Sequence, residues 1–262
     1  MAVSELYLKD TYLNKDIELL VNKVIIEYDL KSANTSLCKE YKLLPKDQIE
    51  KIEATDKHSR VVEIGLIQRK NKKFKNDLKL AFIDIRKRFF EANNIEDKDI
   101  LSIKKDAIFC LREMKYTKFG ECNFVEKNKY SSFICIDRLE FYYNKGKFDK
   151  ESVVDIKGLS DTTIALHKDF MIDFFKKLFY NLEESSEESR NRFLSKFITD
   201  YKLKKLQIGY YREFNQESFY TLNDREEKYE DDYFIPSKEP KDLINIDYNF
   251  SHILLPILQI II

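Results

Sequence analysis

The run Val24-Ile25-Ile26-Glu27-Tyr28-Asp29, followed by the polar, turn-prone Lys31-Ser32-Ala33-Asn34-Thr35-Ser36, most constrains what this chain can fold into. A short apolar run bounded by turn-forming residues reads as a buried strand. A carboxylate at its end stands at the rim of a sheet, where it can serve a metal ion or a phosphate. A second such delivery lies downstream, where residues 100–104 and 107–111 read as two strands flanking Asp106, in a tight hairpin or a bulged strand. Two Asp residues borne on strands, with a helix-rich segment between them, are the minimum for two-metal phosphoryl transfer.

The segments around this pair fix the fold class. Residues 45–70 read as helical, with Ile49, Ile52, Val61, Val62, Ile64 and Ile67 as apolar positions. Lys72–Lys75 reads as a solvated turn. Residues 76–92 form an amphipathic helix, because Leu78, Ala81, Phe82, Ile85 and Phe89 recur at helical spacing, and Asn93-Asn94 ends it. Residues 119–143 read as two or three further strands rich in Phe, Ile and Tyr. Strand, helices, strand pair and further strands give an α+β fold: an antiparallel sheet with packed helices.

Composition changes near residues 144–150, which sets a domain boundary at 150. Beyond it, residues 161–181 form a second amphipathic helix, with His167 in its apolar stripe as a core residue. A polar linker at 183–191, a helix at 191–206 and an acidic loop at 224–242 follow. The apolar tail Ile253–Ile262 is too short to span a bilayer and reads as a buried terminal element. The expectation is therefore no membrane, with residues 151–262 mostly helical.

Formal net charge is zero, which weighs against a nucleic-acid binder, since such proteins usually carry a basic excess. The charges are unevenly spread, however. Residues 57–88 are strongly basic, and acidic residues gather at 183–188 and 224–232, so a basic cleft in a neutral protein fits the sequence. None of the four cysteines forms a CxxC pair, and the three histidines are far apart in sequence. A structural zinc site is not expected. Without a signal peptide the thiols read as reduced and the protein as cytoplasmic.

The residues around the two Asp positions resemble the palm of family B, phage-type DNA polymerases. Asp29-Leu30-Lys31-Ser32-Ala33-Asn34-Thr35-Ser36 is similar to motif A, D-x-x-S-L-Y-P-S, keeping the Asp and both Ser residues. Ser102-Ile103-Lys104-Lys105-Asp106-Ala107-Ile108-Phe109 is similar to motif C, Y-x-D-T-D-S, keeping the second Asp and the apolar continuation. Lys127-Asn128-Lys129-Tyr130 is similar to a Lys-x-Tyr segment that grips the primer. The sequence departs from the family at Lys104, where the first motif C Asp belongs, and at Asn34, where a Tyr excludes the ribose 2′-hydroxyl. The interval between Asp29 and Asp106 is shorter than in family B, leaving room only for short fingers at about 45–75. No proofreading domain fits before residue 20.

The resemblance implies a palm over 1–150, a thumb-like region over 151–262 and template-directed nucleotidyl transfer with Mg²⁺ or Mn²⁺. Asp29 and Asp106 would be the catalytic metal ligands. Ser32, Asn34 and Ser36 would line the nucleotide pocket, with the backbone amides of 30–33 holding the triphosphate. Arg60, Arg69 and Lys70 would neutralise it, and Lys127, Lys129 and Tyr130 would meet a DNA or RNA primer–template. A second polymerase subunit is an implied partner.

Plainer readings stand beside each of these. A lone Asp at a strand end is commonly a turn former, and lysines on a strand protect a sheet edge. A catalytically silent palm binding nucleic acid or protein is the alternative function. A small-molecule phosphotransferase ranks last, because no phosphate-binding glycine loop is present.

Overall fold

The computed structural model describes residues 3–146, 151–158, 171–207, 210, 229–230, 233–234 and 253–261. The fold is α+β, and the chain divides into two compact units: residues 1–16 with 24–129, and residues 17–23 with 130–262. The division falls at Lys129/Tyr130 rather than at 150.

The first unit holds a six-stranded sheet in the order β1-β4-β5-β3-β7-β6. Its strands are β1 (Thr11–Leu13), β3 (Ile25–Leu30), β4 (Ile100–Lys104), β5 (Ala107–Cys110), β6 (Lys118–Phe119) and β7 (Cys122–Tyr130). β4 and β5 both run antiparallel to their neighbours, so β5 lies between β3 and β4, which point the same way. A helical crossover joining β3 to β4, with an antiparallel strand inserted between them, is the split β-α-β arrangement.

Four helices make that crossover: α1 (Ala33–Glu40), α2 (Lys46–Glu53), α3 (Lys57–Lys70) and α4 (Lys72–Ala92). Residues 45–70 thus form two helices, not one. Asp56 opens the second by accepting hydrogen bonds from the amides of His58 and Ser59, which makes it an N-cap. Lys72–Lys75 is the first turn of α4 rather than a free turn. Asn71 ends α3 and caps α4, accepting from Phe74 N at 3.0 Å, and Phe74 is buried in the core.

The face of α4 formed by Phe74, Leu78, Phe82, Ile85 and Phe89 packs with Ile26, Tyr28, Leu30, Ile103 and Ile108 of the sheet. Phe89 is central to it, with ring centroids 4.4 Å from Phe124 and 5.7 Å from Tyr28.

The second unit begins with a four-stranded antiparallel sheet in the order β10-β9-β8-β2. Its strands are β2 (Leu19–Leu20), β8 (Ser132–Ile136), β9 (Leu139–Asn144) and β10 (Val153–Lys157). Helices α5 (Met171–Glu184), α6 (Glu187–Lys202) and α7 (Leu255–Ile261) follow, with a hairpin of β11 (Tyr229–Glu230) and β12 (Tyr233–Phe234). Phe141 stacks on Phe175 at 3.8 Å, and Tyr143 stacks on Phe179 at 5.1 Å.

The expected polar linker at 183–191 is a helix junction instead. α5 runs to Glu184 and α6 starts at Glu187, after the Ser186 hydroxyl accepts from Ser189 N. Glu187 and Glu188 sit in the first turn, where carboxylates favour a helix dipole. The apolar tail does bury Ile253, Leu254 and Ile257. His167 and most of the expected acidic loop lie outside the described residues. Among the described residues, no helix is long and apolar enough to cross a membrane.

Candidate active site

Strand β3 separates two kinds of side chain by its period of two. Ile26, Tyr28 and Leu30 enter the core shared with the helices, while Glu27 and Asp29 point to the opposite sheet face. On β5, Phe109 stands opposite Glu27 and Ala107 opposite Asp29. The Leu30 amide donates to the Asp106 carbonyl at 3.0 Å. Asp106 therefore sits in the hairpin turn beside the end of β3, and both Asp residues are half-buried.

The turn itself is unusual. β4 and β5 are joined by only Lys105 and Asp106, and Lys105 adopts φ +60°, a left-handed conformation. A non-glycine residue there costs on the order of 1 kcal/mol, so the surroundings must impose it. The Lys105 amide donates to the Asp10 carbonyl at 2.7 Å, and Arg86 Nη1 donates to the Lys105 carbonyl at 3.2 Å. Arg86 Nη2 also donates to Asp10 Oδ1 at 2.8 Å. Arg86 is 1 % exposed, so a buried guanidinium on α4 fixes the turn that carries Asp106.

On the other side of β3, strand β7 brings Lys127 and Asn128 to Glu27. Lys127 Nζ lies 3.3 Å from Glu27 Oε1, and Asn128 Nδ2 donates to Glu27 Oε2 at 2.6 Å. Glu27 is 1 % exposed; a carboxylate that deep needs such partners.

The electrostatics tie the four groups together. Burial raises the Asp29 pKa above the usual carboxylate range; Asp106 and Glu27 push it further up, and Lys127 and Lys57 pull against them. Burial alone would lower the Lys127 pKa, but Glu27, Asp29 and Asp106 outweigh it and hold the ammonium above the ordinary lysine value.

The remaining sequence candidates are dispersed. Ser32 is the left-handed N-cap of α1, exposed and without a side-chain cap bond. Asn34 is half-buried on the first turn of α1. Ser36 is buried, and its hydroxyl donates to the Ala33 carbonyl at 3.1 Å. Two of the backbone amides expected to hold a triphosphate are already used: Leu30 N donates to Asp106 O, and Lys31 N to Asn123 O at 2.9 Å. Sheet pairing thus leaves no role for them in phosphate binding.

Lys57, which opens α3, faces Asp29 electrostatically. Arg69 and Lys70 end the same helix, about 18 Å further along its axis at 1.5 Å per residue. Arg60 Nε donates to the Thr55 carbonyl at 3.1 Å. Lys129 pairs with Glu113 at 3.1 Å and Glu126 at 3.3 Å. The Tyr130 hydroxyl donates to Asp155 Oδ2 at 2.6 Å, and its ring lies 5.1 Å from Tyr142.

Sequence reasoning missed Glu27 and Arg86. Glu27 was legible as the residue two before Asp29 on a strand, hence on the same face. Arg86 was legible as a cation inside the apolar stripe of α4, next to Ile85 and three before Phe89.

Asp29 and Asp106 present hard carboxylate oxygens, the donors that Mg²⁺ takes, one or two at a time, with water and phosphate completing its shell. Among the described residues, no group of three or more His, Cys, Asp or Glu side chains is arranged to hold a metal ion, so water or substrate oxygens would supply the other ligands.

The protein family described as Bacteriophage PBS1 gene 130 protein matches residues 1–262 of the chain. Among curated proteins, none matches it.

Proposed function

Since the chain belongs to the bacteriophage PBS1 gene 130 protein family, we propose that it is a phage nucleotidyltransferase whose first unit works as a polymerase-like palm in the host cytoplasm. The observation that carries this reading is the juxtaposition of Asp29 and Asp106 on neighbouring strands of a split β-α-β sheet, with the second Asp in a two-residue hairpin turn. The order of the two carboxylates and the helical crossover between them add support.

Asp29 and Asp106 would hold the divalent cation, which lowers the pKa of an attacking hydroxyl and stabilises charge on the transferred phosphate. The protein's own contribution is positional. Arg86 and Asp10 hold the Lys105-Asp106 turn, and the β3–β5 pairing keeps the two carboxylates adjacent. The substrates are nucleoside triphosphates and a primer–template, in line with the basic residues at the start of α3. A second subunit is a further partner in this reading.

Primer extension on a short templated duplex tests it, with deoxynucleotides and ribonucleotides in parallel and Mg²⁺ or Mn²⁺ present. Extension by the wild type, lost in Asp29→Asn and Asp106→Asn, is expected. Activity that survives both substitutions sinks the assignment.

The second reading, a silent palm that binds nucleic acid or a protein, is favoured by two observations. Lys127 carries a fixed positive charge among the carboxylates, and Lys104 stands at the first motif C position. No extension under any condition, with DNA or RNA binding that weakens steeply with salt, would select it.

A further inference from the structure

The join between α3 and α4 carries charge that its own fold does not use. From Arg69 to Lys79 the chain has six cations, Arg69, Lys70, Lys72, Lys73, Lys75 and Lys79, against one acid, Asp77. All six are exposed, and among the described residues none of them makes an ion pair. Asp77 follows Lys73 by one helical turn and still does not pair with it. Elsewhere on the helices an opposite charge one turn away is common: Lys87 pairs with Glu91, Lys177 with Asp173, Arg192 with Glu188 and Lys196 with Asp200.

Local electrostatics oppose the arrangement. Lys72 and Lys73 open α4, whose first turn holds no acid, although a helix dipole disfavours cations at that end. α6 shows the favourable choice, with Glu187 and Glu188 in its first turn. Lys72, Lys75 and Lys79 also recur at i, i+3 and i+7, so three like charges share one face of α4 and repel one another. A place where local rules are broken without an internal gain is where an external ligand is expected to compensate.

Shape and composition give that ligand's chemistry. Arg69 and Lys70 lie about 18 Å along α3 from Lys57, the end that faces Asp29, and Lys72 to Lys79 run about 10 Å along α4. Charges spread so far match an extended polyanion rather than one phosphate group. The exposed side chains from 69 to 79 are Arg, Lys and Asn. Protein interfaces are depleted in Lys, whereas phosphate backbones are held by Lys and Arg.

We propose that the corner from Arg69 to Lys79 is a docking surface for the phosphate backbone of nucleic acid, separate from the Asp29–Asp106 site and indifferent to base sequence. The inference rests on the nucleic-acid part of the reading above, not on its metal or its chemistry.

The test is fluorescence anisotropy of a labelled oligothymidine and of a labelled DNA duplex, with the full chain, in chelator, without nucleotides, over a salt series. Lys72→Gln/Lys75→Gln/Lys79→Gln removes the stripe. Lys9→Gln/Lys46→Gln/Lys51→Gln removes the same charge from exposed positions elsewhere. The wild type is expected to bind at least one probe, and the preferred probe tells single strand from duplex. The stripe variant should bind on the order of 100-fold more weakly at about 0.1 M salt, with a salt slope shallower by about 2–3. The control should stay within about threefold of the wild type. The stripe variant should also melt no lower than the wild type, because the lysines it removes are exposed and repel one another. No binding of either probe by the wild type overturns the inference, as does an equal effect of the two triple substitutions. If the stripe variant alone loses binding and the wild type extends no primer, nucleotidyl transfer falls and the docking surface stands. If primers are extended and the stripe variant binds like the wild type, the docking surface falls and nucleotidyl transfer stands.

Discussion

Arg86 reaches from the buried face of α4 to the backbone of Lys105, donating a 3.2 Å hydrogen bond to its carbonyl. A helix in the crossover thereby sets the conformation of a hairpin turn whose next residue is Asp106. Core packing and the candidate site are coupled through this one side chain.

Arg86→Met is expected to lower stability by about 2–3 kcal/mol, since it removes hydrogen bonds from a charged donor at a buried position. In urea this appears as a lower midpoint with an unchanged slope. The Lys105-Asp106 turn should exchange its amide hydrogens faster in the variant than in the wild type. Equal midpoints for the two proteins would mean that the turn holds itself.

Asp29 makes the metal-free protein less stable as pH rises. Its folded pKa is raised, by burial first and then by Asp106 and Glu27, so the folded state binds its proton more tightly than the unfolded chain does. The associated stability is fully present below the unfolded pKa and is lost as pH climbs through the raised folded value. Asp29→Asn should therefore raise the melting temperature at neutral pH, with the gain vanishing below the ordinary Asp pKa. Thermal melts from pH 3 to 7 in chelator check this, and a gain that grows toward acid contradicts it.

The thiols should be inert in the native protein. All four cysteines are buried; burial pushes the Cys38 thiol up to about 12 and the Cys122 thiol up to about 11. Thiolate, not thiol, is the nucleophile. Ellman's reagent at pH 8 should label the cysteines only as fast as the protein opens, with the rate rising through the urea transition. Prompt labelling without denaturant would place at least one of them at an accessible surface.

Within α4, the two faces should differ sharply. Phe89 is fully buried, and its ring meets Tyr28, Phe119 and Phe124, so Phe89→Ala should cost about 3–5 kcal/mol. Leu80 is 63 % exposed, and Leu80→Ala should stay within about 0.5 kcal/mol of the wild type. Urea melts of the pair measure the contrast. Similar losses in both would mean that the exposed face of α4 is covered in solution.

Local pattern determined much of this protein. The apolar run ending at Asp29 is a strand, Asp106 lies in a hairpin turn, and Phe74–Phe89 lines the core face of one helix. These features follow from periodicity and turn chemistry, which act between neighbours in sequence and can be read there. The breaks at 54–56, Asn71 and 185–186 were less legible, because a polar cap looks like a loop until the hydrogen bonds it accepts are known.

What tertiary structure alone decided is which charges meet. Glu27 and Lys127 are far apart in the chain, as are Arg86 and Asp10, and each pair is joined at 3.3 Å or less. Strand order set the first pairing and the placement of α4 the second. A charged residue's sequence neighbours do not say whether it faces water or a buried opposite charge; sheet register does, because a shift of one residue turns every side chain to the other face.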